Sequence, residues 1–269
     1  MNLKKQSIIF YQEKEERENN FFDFKLIMDL QIIFENEDFL VLNKPAGLVV
    51  HPKTNYQNSS EKTLINWLIK NYPEIKNVGD DPEIRPGIVH RLDKETSGVM
   101  LVAKNQNSFE DLKNIFKQRL IEKTYLALVI GKMNKKQGKI DLAIAKSIST
   151  KRTTRIKDGQ KILKAETLWE ILKTYQDENN QILSYLKLTP KTGRTHQLRV
   201  HLAAIGHPVV GDYLYGGKTT LKYREKLNRI FLHAYSLKFK YHDTNYLFES
   251  ELSKELENFL KELKTIKES

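Results

Sequence analysis

Short apolar runs separated by polar turns dominate the chain from about residue 31 onward. Runs of this length, bounded by turn-forming residues, are typical of β-strands. We expect Ile32–Phe34, Phe39–Leu42 and Leu48–Val50 to be strands that pair with one another. Six later runs follow the same pattern: Val99–Ala103, Lys123–Ile130, Lys164–Tyr175, Ile182–Leu188, Phe231–Phe239 and Tyr246–Phe248. The chain is therefore predicted to be rich in strands.

Apolar residues recur at helical spacing in four segments that lie between or after these strands. The segments are Thr63–Tyr72, Ser108–Leu120, the stretch from Leu198 to Ile205, and Ser253–Ile266. A capping box of Ser108 and Asp111 is expected to begin the second helix, and Gly206 to end the third. Because strands outnumber helices without a regular alternation of the two, we predict an α+β fold with a mixed, largely antiparallel central sheet flanked by helices.

The first part of the chain differs in pattern from the rest. Residues 12–20 are charged and lack a sustained apolar face, so residues 1–27 are predicted to be a mobile extension. Residues 28–269 are predicted to form one folded domain, and either Met1 or Met28 could be the start of translation. A chain of 269 residues, 39% of them hydrophobic, can bury roughly 70–75% of its unfolded surface. We therefore expect a substantial core.

Charge and residue usage narrow the class of protein. The formal net charge is +11 and the isoelectric point is about 9.4, which favours a polyanionic partner, most often nucleic acid. A lysine-rich proteome would give the same balance without such a partner. The chain has no cysteine, which excludes disulfides, thiolate zinc sites and a cysteine nucleophile. Its apolar runs are too short to span a membrane and no signal-peptide core is visible, so we expect a soluble cytoplasmic protein.

The segment His90–Gly98 places an acid beside a base where the chain turns. Turn residues precede it and an apolar run follows it, so Asp93 is expected in a loop between extended segments, where catalytic side chains usually lie. Arg91 lies two residues earlier and would project to the same side of an extended chain. A neighbouring guanidinium favours the ionised carboxylate, which suits a nucleophile. On local grounds alone, an ion pair at the surface of a turn is the simpler interpretation.

The segment Gly193–His201 leads into the third predicted helix. Arg194 would lie at the N-terminus of that helix, where its charge adds to the helix dipole. Such a place attracts an anion, either a phosphate or the carboxylate of Asp93. Capping of the helix by Thr195, with solvated arginines beside it, is an equally good interpretation.

Neither a metal site nor a cofactor site is expected. His196 and His201 are five residues apart, unlike the four-residue spacing of zinc-binding helices. Gly211–Thr219 resembles a phosphate-binding loop, but its first glycine is one residue too far from the Gly-Lys-Thr end, and we interpret it as a glycine-rich turn. The sequence contains no dinucleotide-binding fingerprint, so no nucleotide cofactor is predicted.

The segment Lys146–Lys161 carries six basic residues against a single aspartate. It is suited to phosphate contacts, although a solvated basic loop would have the same composition. We predict nucleic-acid contacts from Lys151, Arg152 and Arg155, together with Arg199.

Four separated motifs, in this order and spacing, resemble those of the RluA-type family of RNA pseudouridine synthases. They are Asn43–Pro52, His90–Gly98, Lys123–Tyr125 and Gly193–His201. The resemblance extends from about residue 31 to about residue 259. It implies the fold of that family, a catalytic domain formed by residues 28–269, and the isomerisation of uridine to pseudouridine in RNA. About 30 residues precede it in this sequence, so we do not expect the amino-terminal S4 domain of longer relatives.

By this resemblance, Asp93 is expected to be the catalytic aspartate. Arg91 is expected to enter the helix stack when the target uridine flips out, since the reacting bond is hidden in stacked RNA. Tyr125 is expected to pack against the target base, a role that its local sequence does not indicate, and Arg194 to pair with the Asp93 carboxylate. Isomerisation involves no redox change and no net hydrolysis, so the resemblance implies no metal or organic cofactor.

The resemblance leaves the mechanism and the substrate open. An ionised carboxylate can attack the ribose C1′ or the ring C6, or take a C2′ proton. Large-subunit ribosomal RNA is the first expectation for the substrate, and transfer RNA is the second. An inactive RNA-binding or ribosome-assembly factor on the same scaffold is the alternative function. We expect a monomer with no obligate protein partner.

Overall fold

The computed structural model describes residues 30–52, 55–58, 63–146, 152–154 and 161–266. The predicted extension, residues 1–27, lies outside the described residues, as do Lys151 and Arg155. The extension therefore stays a prediction, and so does the domain formed by residues 28–269.

A ten-stranded sheet forms the centre of the described residues, with a small three-stranded sheet beside it. The strands are β1 (Gln31–Glu35), β2 (Phe39–Lys44), β3 (Ser97–Ala103), β4 (Glu122–Ile130), β5 (Gln137–Asp141), β6 (Ile144–Lys146), β7 (Arg152–Thr153), β8 (Ile162–Leu163), β9 (Glu166–Gln176), β10 (Ile182–Pro190), β11 (Leu232–Tyr241), β12 (Thr244–Glu249) and β13 (Lys264–Ile266). The large sheet runs β1-β2-β3-β11-β4-β10-β9-β13, with β12 added to β11 and β5 to β9. Its pairs are antiparallel except for β3 with β11, which run parallel.

Helices cover this sheet. They are α1 (Leu64–Asn71), α2 (Gln106–Lys117), α3 (Gln197–Ala204), α4 (Tyr213–Gly216), α5 (Lys218–Leu221), α6 (Arg224–Leu227) and α7 (Lys254–Lys261), with single 3-10 turns at Tyr56–Asn58 and Pro73–Asn77. The predicted α+β class and the mixed, largely antiparallel sheet are confirmed. The six runs predicted as strands between residues 99 and 248 match β3, β4, β9, β10, β11 and β12 to within two residues.

Strand β3 is the most deeply buried strand of the core, since all seven of its residues are buried. Alternate side chains of a strand point to opposite faces. Met100 accordingly packs in one cluster with Leu64 of α1, and Leu101 packs in another with Leu112 of α2. Each such side chain stabilises the fold by about 1.5–3 kcal/mol through burial. The loop that carries Asp93 runs directly into this strand.

Two predictions for the first half of the chain differ from the structure: one strand is absent, and one helix begins earlier. Leu48–Val50 is not a strand, because only Val49 forms a bridge, with Thr63 just before α1. Helix α2 begins at Gln106 rather than Ser108. Asn105 is its N-cap, and the Asn105 side chain accepts from the backbone N of Ser108 at 2.9 Å. The capping box therefore lies three residues earlier than the predicted one, and it uses an equally good capping residue.

Two later predictions also differ from the structure. The predicted helix over Ser253–Ile266 ends at Lys261, and the chain returns as β13 to pair with the end of β9. A strand there satisfies backbone groups that β9 would otherwise leave open at its edge. The glycine-rich segment Gly211–Thr219 is not a plain turn, because Asp212 caps α4 by accepting from the backbone N of Leu214.

Gly98 gives a test of how β3 meets β11. Its φ is +113°, and a Cβ built there would collide with the backbone of Ala234 on β11. Gly206 has a similar positive φ, +85°, but nothing within 4 Å of a built Cβ. Both alanine variants suffer about 1 kcal/mol of backbone strain, and Gly98→Ala should lose about 1–3 kcal/mol more from overpacking. Urea unfolding measures both variants, and an equal loss of unfolding free energy would contradict the close approach.

Candidate active site

Asp93 lies in the loop that leads into β3. Leu92 and Thr96 on either side are buried, and the backbone N of Thr96 donates to the carbonyl of Asp93 at 3.1 Å. His90 fixes the start of the loop, because its Nε2 accepts from the backbone N of Leu101 at 2.9 Å. Burial lowers the pKa of His90 to about 3, so the ring stays neutral and can accept this bond. The loop is thus tied to the buried strand, and Asp93 keeps 20% of its side chain exposed.

A buried lysine joins this loop to the end of β2. Lys44 has no exposed surface, and its Nζ donates to the carbonyls of Pro45 at 2.7 Å, Leu48 at 2.9 Å and Lys94 at 3.2 Å. An ammonium group has three donors, and these carbonyls use all of them. Burial, with a smaller contribution from the charge of Arg229, lowers the pKa of Lys44 to about 7. The lysine holds the two loops together beneath Asp93.

Arg199 on α3 is the guanidinium that faces Asp93. It is only 5% exposed and makes a two-point contact with the buried carboxylate of Asp212, at 2.7 Å from Nε and 2.9 Å from Nη2. Its remaining nitrogen, Nη1, lies 3.7 Å from Oδ2 of Asp93. Burial alone would lower the pKa of Arg199, but the hydrogen bonds and charge of Asp212, with the charge of Asp93, outweigh burial and raise it. Arg199 therefore stays charged and is aimed at Asp93 by Asp212.

His196 is a second neighbour of Asp93. Its Nε2 lies 3.9 Å from Oδ1 of Asp93, and its Nδ1 lies 2.8 Å from the hydroxyl of Tyr215. His196 is the N-cap residue of α3 and has a left-handed backbone, with φ of +56°. Burial lowers its pKa, and the charge of Asp93 opposes that shift only in part. His196 was named from the sequence only when a metal site was weighed. Its position beside Asp93 was not predicted.

Two clefts meet at Asp93. One, of about 1380 Å³, is lined by residues that include Arg91 and His51. The other, of about 490 Å³, is lined by Tyr125 and Arg194 and by a basic rim. The rim consists of Lys117, Arg119, Lys123 and Lys191. The smaller cleft lies within the range of pockets that hold small organic ligands.

Tyr125 projects from β4 into the smaller cleft and is half-buried there. Its ring packs against apolar residues of two core clusters, which fixes its position. Burial raises the pKa of Tyr125, and the negative charge of Asp93 raises it further. The hydroxyl therefore stays protonated, and the ring presents an uncharged aromatic surface next to Asp93. The structure thus brings Tyr125 and Asp93 together, as the resemblance implies.

Arg91 does not pair with Asp93, and that part of the prediction is wrong. Its Nη1 donates to Nε2 of His51 at 2.7 Å, and the side chain is exposed. The backbone N of Thr96 donates to the carbonyl of Asp93, so the turn begins at Asp93 and Arg91 lies before it. Arg91 still lines the larger cleft together with Asp93.

Arg194 does not pair with Asp93 either. Its Nε donates to the carbonyl of Lys164 at 3.1 Å, while its backbone N donates to Oε1 of Gln197 at 3.0 Å. Helix α3 begins at Gln197, after the left-handed His196, so Arg194 precedes the helix instead of lying in its first turn. Arg199, and not Arg194, is the arginine that faces Asp93. Only nucleic-acid contacts were predicted for Arg199 from the sequence, but its side chain is too buried to project from the surface.

Arg152 is the one residue of the predicted basic contacts in Lys146–Lys161 that lies among the described residues. It is half-buried on β7, and its Nη2 lies 3.4 Å from the hydroxyl of Thr195, close to α3 and the site. Within the described ranges, no group of three or more His, Cys, Asp or Glu could hold a metal ion. No helix of the described chain is long and apolar enough to cross a membrane.

Most residues of the site lie in a part of the chain that matches a known family. Residues 38–204 match the family model described as RNA pseudouridylate synthase. This chain belongs to the RNA pseudouridine synthase family. The match contains Asp93, Tyr125 and Arg199, whereas Asp212 and Tyr215 lie beyond its end. The predicted resemblance is confirmed at the level of the family.

Relatives of this chain support the assignment to the family. An uncharacterized RNA pseudouridine synthase of Aquifex aeolicus is 43% identical over 220 residues, covering 80% of this chain and 66% of the relative. The uncharacterized RNA pseudouridine synthase YlyB of Bacillus subtilis is 35% identical and covers 88% and 74%. Ribosomal large subunit pseudouridine synthase D of Pseudomonas aeruginosa is 38% identical and covers 71% and 55%. The chain thus spans about half to three quarters of the length of these relatives.

Solved structures show the same fold. Human RNA Pseudouridylate Synthase Domain Containing 1 superimposes with a TM-score of 0.67 at 28% identity, covering 84% of both chains. Human RNA Pseudouridylate Synthase Domain Containing 4 gives a TM-score of 0.66 at 22% identity over 93% of this chain. The α+β architecture of this chain is therefore also found in these two structures.

The two arginines of the site should differ in their effect on stability. Arg199→Met leaves the buried Asp212 carboxylate unpaired and should reduce the free energy of unfolding by about 3–5 kcal/mol. Arg194→Met removes one bond to a backbone carbonyl near the surface and should cost about 1 kcal/mol or less. Urea unfolding of both variants measures the difference. Equal losses would contradict the structural role given to Arg199.

Proposed function

We propose that this protein isomerises specific uridines in structured RNA to pseudouridine, with Asp93 as the catalytic carboxylate. The observation that carries the proposal is the placement of Asp93 beside Tyr125 at the mouth of a basic, nucleotide-sized cleft, with the charged Arg199 at 3.7 Å. Membership of the RNA pseudouridine synthase family supports the same reaction.

The reaction requires the uracil to leave the ribose at N1, rotate, and rejoin through C5. No electrons are gained or lost, and no water is consumed. Asp93 assists by attacking C1′ or C6, or by taking the C2′ proton, and each of these steps needs the ionised carboxylate. Arg199 places a fixed positive charge 3.7 Å from this carboxylate, in a partly buried site where water screens the attraction only weakly.

The target uridine must leave the RNA helix before it can reach Asp93. We place its base in the smaller cleft against Tyr125, since an aromatic ring in a tight cleft is a stacking surface for a base. Arg194 and the basic rim would contact the flanking phosphates there. Arg91 lines both clefts beside Asp93 and is exposed, so it can fill the space that the flipped base leaves once its bond to His51 breaks.

Large-subunit ribosomal RNA is the proposed substrate, and the protein is proposed to act as a monomer without an obligate protein partner. The relative from Pseudomonas aeruginosa is named a ribosomal large subunit pseudouridine synthase. The net charge of +11 suits any large RNA, so transfer RNA is tested beside it.

Asp93→Asn should abolish pseudouridine formation while RNA binding survives, because the amide keeps the shape of the side chain and loses its charge. We expect the rate to fall more than about 10³-fold, as when a residue that reacts with the substrate is removed. Release of tritium from RNA labelled at uridine C5 measures the rate, on ribosomal and transfer RNA separately.

Asp243→Asn is the matched control, since it makes the same change at a fully exposed carboxylate between β11 and β12. It should retain the rate of the unaltered protein. Full activity in Asp93→Asn would overturn the catalytic role of Asp93. Failure of the unaltered protein to release tritium from either RNA would point to a binding or assembly factor instead.

RNA affinity should fall steeply with salt, because each phosphate contact releases counterions. Arg152→Gln, which removes one predicted contact, should reduce the slope of log affinity against log salt by about 1. Filter binding from low to moderate salt measures the slope. An affinity that does not change with salt would contradict a phosphate-contacting role for Lys151, Arg152 and Arg155.

A further inference from the structure

The hydroxyl of Tyr215 connects strand β7 with His196, the residue that precedes α3. Tyr215 lies on α4, and its hydroxyl accepts a hydrogen bond from the backbone N of Arg152 on β7 at 3.1 Å. The same hydroxyl lies 2.8 Å from Nδ1 of His196. The other ring nitrogen of His196 faces Asp93. A continuous chain of polar contacts therefore runs from the start of β7 to the carboxylate.

The direction of each bond in this chain follows from chemistry. A backbone N–H can only donate, so the hydroxyl of Tyr215 accepts from Arg152 and keeps its own proton to donate to Nδ1 of His196. Its second lone pair could instead accept from an N–H at Nδ1, and the charge of Asp93 at the other ring nitrogen decides against that arrangement. In a neutral imidazole only one nitrogen carries a proton. With Nδ1 as the acceptor, the proton of His196 is on Nε2.

The electrostatics at the other end of the ring favour the same tautomer. Nε2 lies 3.9 Å from Oδ1 of Asp93, on a side chain that is 20% exposed. A lone pair on Nε2 would face the carboxylate and be repelled by it, whereas an N–H there is attracted. At 3.9 Å the contact is electrostatic and longer than a hydrogen bond. Such bonds are often long before substrate binds.

Tyr215 is held rigidly enough to impose this orientation. Its backbone N donates to Oδ1 of Asp212 at 3.2 Å, and its ring lies 5.2 Å from the guanidinium of Arg199. The ring also packs against a small buried cluster that contains Ile144 and Val200. Asp212 thus orients both neighbours of Asp93: Arg199 directly, and His196 through Tyr215.

We propose that His196 is a positioning residue for the Asp93 carboxylate, and that Tyr215 sets the tautomer in which His196 does so. This proposal rests on the proposed function. Nη1 of Arg199 faces Oδ2 of Asp93 at 3.7 Å and Nε2 of His196 faces Oδ1 at 3.9 Å, so a positive group and an N–H attract the two oxygens separately. Tyr215 lies beyond the end of the matched region at residue 204, so the matched region alone does not contain this device.

Burial, more than the surrounding charges, favours the neutral ring of His196. Burial is the largest influence and lowers its pKa, and the positive charges of Arg199 and Arg152 act in the same direction. The negative charges of Asp93 and Asp212 oppose them. Loss of the Tyr215 hydroxyl would free the lone pair of Nδ1 to take a proton, so the pKa of His196 should rise. Without the hydroxyl, no hydrogen bond from Tyr215 would hold the His196 ring in one orientation relative to Asp93.

The first test reads the tautomer directly in the full chain. A long-range ¹H–¹⁵N correlation spectrum at pH 7.5, with His196 assigned by its absence from His196→Gln, should show Nδ1 unprotonated and Nε2 protonated. The Nδ1-protonated form, or an imidazolium at this pH, would overturn the proposal. This measurement needs neither RNA nor activity, so it stands apart from the proposed function.

The second test uses Tyr215→Phe, which keeps the ring and removes the hydroxyl. We expect kcat to fall about 10- to 100-fold, as small losses of alignment usually cause, with KM for RNA within about twofold. The pKa of His196 in the spectrum should rise, and the acid limb of the kcat profile should move to higher pH. A merely structural hydroxyl would not move this limb.

Tyr223→Phe is the control, because it removes a tyrosine hydroxyl bonded to Asp177 at 2.7 Å, away from both clefts. It should leave kcat and the pH profile unchanged. If the unaltered protein is active and Tyr215→Phe matches Tyr223→Phe in kcat and in the pKa of His196, the positioning role is wrong. If the unaltered protein is inactive on every RNA, the proposed function fails, and the tautomer result still decides the part played by Tyr215.

Discussion

The buried contact between Arg199 and Asp212 is the interaction on which the site depends. Asp212 has no exposed surface, and its carboxylate binds two nitrogens of Arg199 and caps α4. Two of the guanidinium's three nitrogens are committed to Asp212, so its plane is fixed and the third is directed at Asp93. A charge that cannot turn away is already in place when the substrate arrives. The cost of burying these charges is met by the contacts that they make with each other.

The position of Asp93 depends on strand β3 and on the loop that precedes it. Strand β3 is buried on both faces, and the loop before it is tied down by His90 at one end and by Lys44 beneath. Asp93 is therefore a partly exposed group on a rigid support, placed where a small basic cleft and a large open one meet. This combination suits a reaction in which one nucleotide enters a pocket while the rest of the RNA stays outside.

The sequence was sufficient for the fold class, for most strands and for the family, because strand periodicity and several long motifs are local features. It was insufficient where a partner is distant in the chain. Arg194 and Arg199 belong to one motif, but the helix begins at Gln197 after the left-handed His196, so Arg199 lies in the helix and Arg194 before it. The partner that aims Arg199 lies 13 residues further on, in a segment that looked like a plain turn. Lys44 was not singled out from the sequence, since its three acceptors are brought together only by the folded loops.

The central claim is that this chain makes pseudouridine at chosen uridines in RNA. The most direct test is a transcriptome-wide pseudouridine map of three strains. They are the parent strain, a strain that lacks the gene, and the same deletion strain with a restored copy. We predict that one or a few sites, first of all in large-subunit ribosomal RNA, disappear with the gene and return with the restored copy. A map that is identical in all three strains would contradict the claim.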